Sequence, residues 1–264
     1  MALNLIHLSM VNHKLQNQST RQSRTQISYS ATSDLINLEN GLHNYNMDIV
    51  KKLSYGLGFP DEHRSKILLL DFGAGIGTLA EIWRAQFGVK PICIEIDKKQ
   101  IQILKSKGFE VFSKISAVSG LVDYVYSSNV LEHIEDDFNT LKEIQKRMKI
   151  GGKIAIYVPA LPFLFSDLDI KVGHFRRYRR SELLRKVKAA GFEITDCYYN
   201  DCVGVFAGII LKIFGYNNKN GLGSIKTLIF YDKIVYPISK VLDHLIFKHV
   251  IGKNLVLFAV YPKK

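Results

Sequence analysis

Ile67-Leu68-Leu69-Leu70-Asp71-Phe72-Gly73-Ala74-Gly75-Ile76-Gly77-Thr78 is the stretch that decides the fold. Four apolar residues run straight into a glycine-rich turn, the pattern of a parallel strand buried on both faces. After Thr78 the apolar residues Leu79, Ile82 and Trp83 fall at helical spacing, so the unit reads strand, glycine loop, helix. Glycine removes the Cβ that would block a sharp turn and the close approach of a ligand. The following helix aims its free N–H groups and positive dipole end at that ligand.

Two ligand classes use this geometry, dinucleotides and S-adenosylmethionine. The dinucleotide pattern wants a third small residue for close helix–strand packing. Thr78 stands in that place here, after Gly73, Gly75 and Gly77. The rest of the chain has to arbitrate. Pro91-Ile92-Cys93-Ile94-Glu95 reads as a second buried strand with an acid at its tip, 22 positions after Gly73. A carboxylate at about that distance is placed to accept hydrogen bonds from both hydroxyls of a ribose.

Outward from this unit, 35–57 has the periodicity of an amphipathic helix. Further strands are expected at 109–112, 122–126, 153–158, 192–199 and 255–261. Helices are expected after the fourth strand, as far as Met148, and over 181–190 with Ser181 as N-cap and Gly191 as stop. Alternating strands and helices imply an α/β fold, a doubly wound parallel sheet of seven strands. Residues 1–33 read as a disordered lead-in and 34–264 as one domain, in which 201–253 is a helical cap inserted between strands six and seven.

The chain has 264 residues, net charge +12 and 47% hydrophobic residues, as expected of a soluble globular protein with an anionic partner. Cys93, Cys197 and Cys202 form no metal-ligand spacing, so a reduced, cytoplasmic protein without a metal is expected. Met1 to Val11 lacks a basic leader and a cleavage site, so no signal peptide is read. No apolar run reaches membrane-spanning length. The insertion is apolar over Cys202 to Tyr216. Ile238, Val241, Leu242, Leu245 and Ile246 follow at helical spacing opposite Lys240 and Lys248. The plain expectation is a helical cap packed on the sheet edge. The sharper one is a peripheral helix pair on the inner face of the membrane, admitting a lipid-linked acceptor.

Val130-Leu131-Glu132-His133-Ile134-Glu135-Asp136-Asp137, joined to the glycine loop and Glu95, resembles the class I S-adenosylmethionine-dependent methyltransferases. The Met148-Lys149-Ile150-Gly151-Gly152-Lys153 turn is similar to that family's turn before its fifth strand. Asn44-Tyr45-Asn46, Val158-Pro159-Ala160 and Gly173-His174-Phe175-Arg176-Arg177-Tyr178 look like a bacterial subgroup that sometimes accompanies glycosyltransferases acting on polyprenyl carriers. The resemblance covers about Leu38 to Lys264 and implies a Rossmann-like methyltransferase sheet. It implies that Asp71, Gly73, Gly75 and Gly77 line the methionine end of the cofactor, Glu95 holds the ribose and Ile96 packs on the adenine. Asn129 would face the sulfur. Where the family often has an acid for the adenine amino group this chain has Ser113-Lys114-Ile115, and a backbone contact from Ile115 would replace it.

The donor methyl is already activated, so the protein mainly aligns the acceptor with it, and a base is needed only for an acceptor that carries a proton. His174 and His133 are the candidate bases, with Asp169 placed to orient His174. Tyr45, Asp169, Arg176, Arg177 and Tyr178 are the candidate acceptor-binding residues, the arginines suiting a phosphate or carboxylate. A small-molecule or lipid-linked acceptor is expected. The competing readings are an RNA methyltransferase, supported only by net charge, and a scaffold without turnover. Lacking a base-stacking segment or an N-P-P-Y-like tetrapeptide, the chain is not expected to bind nucleic acid.

Overall fold

Leu69, Leu70 and Asp71 of strand β1 (Leu69–Phe72) are buried and Phe72 is half-buried, as expected of a strand covered on both faces. The computed structural model describes residues 28–60, 66–214 and 225–263. The other strands are β2 (Ile92–Ile94), β3 (Val111–Phe112), β4 (Val122–Ser128), β5 (Met148–Pro159), β6 (Glu193–Asn200) and β7 (Asn254–Val260). They form one sheet in the order β3-β2-β1-β4-β5-β7-β6. Its helices are α1 (Ser28–Gly41), α2 (His43–Leu57), α3 (Thr78–Phe87), α4 (Lys98–Ser106), α5 (Asp137–Gln145), α6 (Asp167–Val172) and α7 (Arg180–Ala189). Between β6 and β7 come α8 (Val203–Phe214), α9 (Ile225–Phe230), a π-helical turn at Tyr231–Val235, and α10 (Tyr236–Leu245).

Side chains alternate across the sheet with period two, which divides the core into two layers. Leu70, Val125, Ile154 and Leu257 face one layer with Leu183 and Val187 of α7. Leu69, Tyr126, Tyr157 and Phe258 face the other with Val50 and Leu53 of α2 and Trp83 of α3.

The sheet is not wholly parallel, a correction to the sequence reading. β7 runs antiparallel to both β5 and β6. The two ends of the insertion lie together: Lys253 N–H donates to Asp201 O at 3.0 Å. A Cβ on Gly252 would come within 2.6 Å of the Asn200 backbone. A chain that returns to the point where β6 ended can only run back beside it. Apolar periodicity reports burial, not direction.

Smaller differences have local causes. The expected first helix is two, α1 and α2, separated at Leu42. Of the expected lead-in, 1–27 lies outside the described residues, and 28–33 belongs to α1. The Gly151-Gly152 turn sits inside β5 as an irregularity, since Val122 pairs with Met148 and Tyr124 with Lys153. Helix α7 starts one residue early, with Arg179 rather than Ser181 at its N-cap and no side-chain cap.

Buried carboxylates dock the insertion. Asp232 accepts from Asn44 N–H at 2.9 Å and Tyr45 N–H at 2.8 Å, capping α2 from a distant part of the chain. Asp201 is paired with Lys253 at 3.2 Å and accepts from Gly204 N–H, Ser239 Oγ and the Tyr231 hydroxyl. Asp243 accepts from the N–H groups of Asp201 and Cys202 at 2.6 and 3.0 Å. Asp232→Ala should lower stability by about 1–2 kcal/mol, as loss of a helix cap does. Urea unfolding of the variant beside Asp232→Asn measures this, and an unchanged midpoint for Asp232→Ala would remove the cap from the account.

Candidate active site

Strand β1 pairs with β2 on one side and β4 on the other. The chain therefore changes winding direction between β1 and β4, and the crevice beyond their C-terminal ends is where open α/β sheets bind ligands. Both loops bordering that crevice are special. Gly73, Gly75 and Gly77 adopt φ of 83°, 59° and 90°, a region that a side chain disfavours. A Cβ on Gly73 would lie 2.3 Å from Val130 Cγ2, so the glycine loop and the loop after β4 touch.

Glu95 lies against the glycine loop. Its Oε2 accepts from Gly75 N–H at 2.8 Å, and Oε1 accepts from Ile96 and Asp97 N–H at 2.7 and 2.9 Å. Ile96 next to it is 81% exposed, an apolar wall with nothing packed on it. Asp71 sits beneath the loop, buried, and accepts from the Tyr126 hydroxyl at 2.7 Å. Burial pushes its carboxyl up to about 7. Asn129 takes a left-handed turn at φ 54° and donates its N–H to Tyr157 O at 2.8 Å. Ile115 turns its side chain into the core, and Lys114 is exposed. A loop with glycine at its three left-handed positions, a carboxylate at its rim and an open apolar wall fit the methionine, ribose and adenine parts of S-adenosylmethionine.

Beyond Val130 a single turn, Leu131–His133, brings up a second group of residues. Glu132 is 0% exposed, and neither carboxylate oxygen has a hydrogen-bond partner among the other described residues. Burial pushes it up to about 8. His174 comes to it from the other side. A Ser166–Asp169 capping box starts α6, and Gly173 at φ 84° ends it, turning the chain so that His174 N–H reaches Asp169 O at 2.8 Å. His174 Nδ1 is 2.7 Å from Asp169 Oδ1, and Nε2 is 3.8 Å from Glu132 Oε1. The ring of His133, itself an exposed residue, meets that of His174 edge-on with centroids 4.5 Å apart.

Asp169 stands beside His174, the pairing the sequence offered, His133 joins them only in the fold, and the other expected acceptor-binding residues have partners inside the protein. Tyr45 is buried, its hydroxyl bonded to Tyr157 and Asn254 at 2.8 and 3.0 Å. Tyr178 is buried and donates to Asp137 Oδ2 at 2.7 Å. Arg176 pairs with Asp137 at 2.8 Å and donates to Glu135 O, while Arg177 donates to Asp169 at 2.9 Å. These four brace the site from within the protein. Asp137 and Glu132 were missed as site residues. Both stand in an acidic helix-start sequence whose ordinary reading is capping, and nothing local marks which acids are turned inward.

Raised from 3.8 to about 7, the Asp71 carboxyl stays protonated in the fold between those values while the unfolded chain ionises. Its contribution to stability is therefore full below about pH 4, falls as pH rises to about 7, and is flat above. Relative to Asp71→Asn, the wild type should lose on the order of 4 kcal/mol across that window. Urea midpoints of both proteins between pH 4 and 8 test this, and parallel pH curves would show an ordinary Asp71.

A family model described as a methyltransferase domain matches residues 40–196, more than half of the chain. A comparison with curated protein sequences gives no match. Among solved structures, a SAM-dependent methyltransferase from Archaeoglobus fulgidus is similar at 16% identity and TM-score 0.51, covering 81% of this chain and 94% of that one. Haemonchus contortus phosphoethanolamine N-methyltransferase 2, in complex with S-adenosyl-L-methionine, is similar at 18% identity and TM-score 0.54, covering 83% and 53%. The cyclase SpnF is similar at 14% identity and TM-score 0.54, covering 83% and 82%. A fold shared with a cyclase does not by itself assign chemistry. The family match does: the chain belongs to the methyltransferase-domain family, with S-adenosylmethionine as its cofactor.

Proposed function

We propose that the chain methylates an acceptor delivered from a membrane surface, a lipid-linked molecule whose reacting atom carries a proton. S-adenosylmethionine supplies an activated methyl group when bound, so the protein's own task is alignment and proton removal. Glu95 offers its carboxylate to the ribose hydroxyls, and Gly73, Gly75 and Gly77 admit the methionine end. Glu132, His133 and His174, across the crevice, are where the acceptor loses its proton.

One observation carries the membrane part. The insertion leaves Phe206, Ile210 and Ile213 of α8, and Ile238, Val241 and Leu245 of α10, each more than half exposed. Exposed apolar surface of this extent marks an interaction site. It borders the site, because a Cβ on Gly208 of α8 would touch Leu164 at 3.3 Å, in the turn leading to α6 and His174. Among the described residues no helix is long and apolar enough to cross a membrane, so the helices would lie in the interface. Lysines of the insertion and the net charge of +12 suit anionic headgroups. Apolar exposure of this kind is not what a nucleic acid binds.

Titration calorimetry should show S-adenosylmethionine binding that weakens at least about tenfold in Gly75→Arg and Glu95→Ala. No binding by the wild type would leave a scaffold. In flotation on vesicles of phosphatidylcholine with phosphatidylglycerol, the wild type should rise with the lipid and Phe206→Asp/Leu245→Asp should not. A wild type that stays below the lipid would overturn the membrane reading and leave a small-molecule acceptor.

A further inference from the structure

We propose that Glu132, His133 and His174 form a binding site for one divalent first-row transition-metal ion. Each residue offers one donor atom, and the three donors lie within 4.8 Å of one another. An ion of zinc's size, with bonds of about 2.1 Å, wants donors roughly 3.4 Å apart. The His174 Nε2 to Glu132 Oε1 distance, 3.8 Å, is already close to that.

The surroundings are those of metal ligands. A ligating histidine usually gives its other ring nitrogen to a carboxylate or backbone carbonyl, which sets the tautomer and leaves one lone pair for the ion. His174 Nδ1 is held by Asp169 at 2.7 Å, and Asp169 is itself fixed by Ser166 N–H and by Arg177 Nε, each at 2.9 Å. His133 bonds to the backbone of Gly173 and Val172, which fixes its ring. Glu132 provides the independent observation. A fully buried carboxylate with no hydrogen-bond partner among the other described residues is costly unless a cation compensates it. Arg177 acts on Glu132 only through its charge, its Nε being committed to Asp169.

A mixed nitrogen and oxygen donor set favours zinc, iron, cobalt or manganese over magnesium or calcium. Three protein ligands leave coordination positions open, as in sites where an ion acts as a Lewis acid rather than as a staple. The inference replaces the expectation of a protein without metal. The use of the ion, lowering the pKa of an acceptor hydroxyl, rests on the methyltransferase reading, whereas its binding does not.

The test is Co²⁺ titration into EDTA-stripped, full-length protein, read by visible absorption, with Zn²⁺ competition and elemental analysis. One equivalent should bind, giving the bands of a low-symmetry site that zinc abolishes. Glu132→Gln and His174→Ala should weaken binding at least tenfold, while His249→Ala, far along the chain, should not. Should His174→Ala fail to melt cooperatively, His133→Asn at an exposed position replaces it. No Co²⁺ or Zn²⁺ binding by the wild type, or equal binding by wild type and Glu132→Gln, overturns the site. S-adenosylmethionine titrated into the same samples separates the two readings: cofactor binding without metal sinks only the ion, and metal without cofactor binding sinks only the methyltransferase chemistry.

Discussion

Gly73 and Val130 are pressed together so closely that no side chain fits between them. This contact fastens the loop after β1 to the loop after β4, the two strands on either side of the winding reversal. The glycine loop and the Glu132–His133 turn both depend on it, because each hangs from one of those loops. The left-handed turn at Asn129 sends the chain down to Val130, and the following short turn carries Glu132 inward and His133 outward. Rigid parallel strands behind the loops keep the two halves of the site in register.

Buried carboxylates organise the rest, each with a different duty. Asp201, Asp232 and Asp243 draw the insertion onto the sheet edge and onto α2. Asp137 gathers Arg176, Tyr178 and Lys186 behind the site. Asp169 holds His174 and Arg177. All of these have donors in good geometry, so their desolvation is offset. Glu132 is the exception: neither of its carboxylate oxygens has a hydrogen-bond partner among the other described residues, and two imidazoles lie beside it.

The insertion follows the opposite logic on its outer side. Asp201, Asp232, Ser239 and Asp243 point inward into the docking network, while Phe206, Ile210, Ile213, Ile238, Val241 and Leu245 face out. Val205 and Tyr236 already cover the core, so a cap that only closed the sheet edge would not need this second, outward apolar face. This outward face ties the long connection between β6 and β7 to the function proposed for it.

The sequence by itself determined the strand–glycine loop–helix unit, the acid at the tip of β2, the seven strands and the family resemblance. These depend on short-range patterns: apolar runs, glycine where φ is positive, and a fixed offset between two loops. It also placed His174 beside Asp169, five residues apart across one short helix. Only the tertiary structure decided the direction of β7, because that follows from where the insertion returns. Only it showed that Tyr45, Arg176, Arg177 and Tyr178 have partners inside the protein: Tyr157 and Asp137 lie far along the chain from Tyr45, Arg176 and Tyr178, and Asp169 meets Arg177 only through the turn that ends α6. It alone brought Glu132 and His133 to His174, across some forty residues. Whether a charged side chain meets water, a counter-charge or nothing is set by which distant elements pack around it, and no local pattern encodes that.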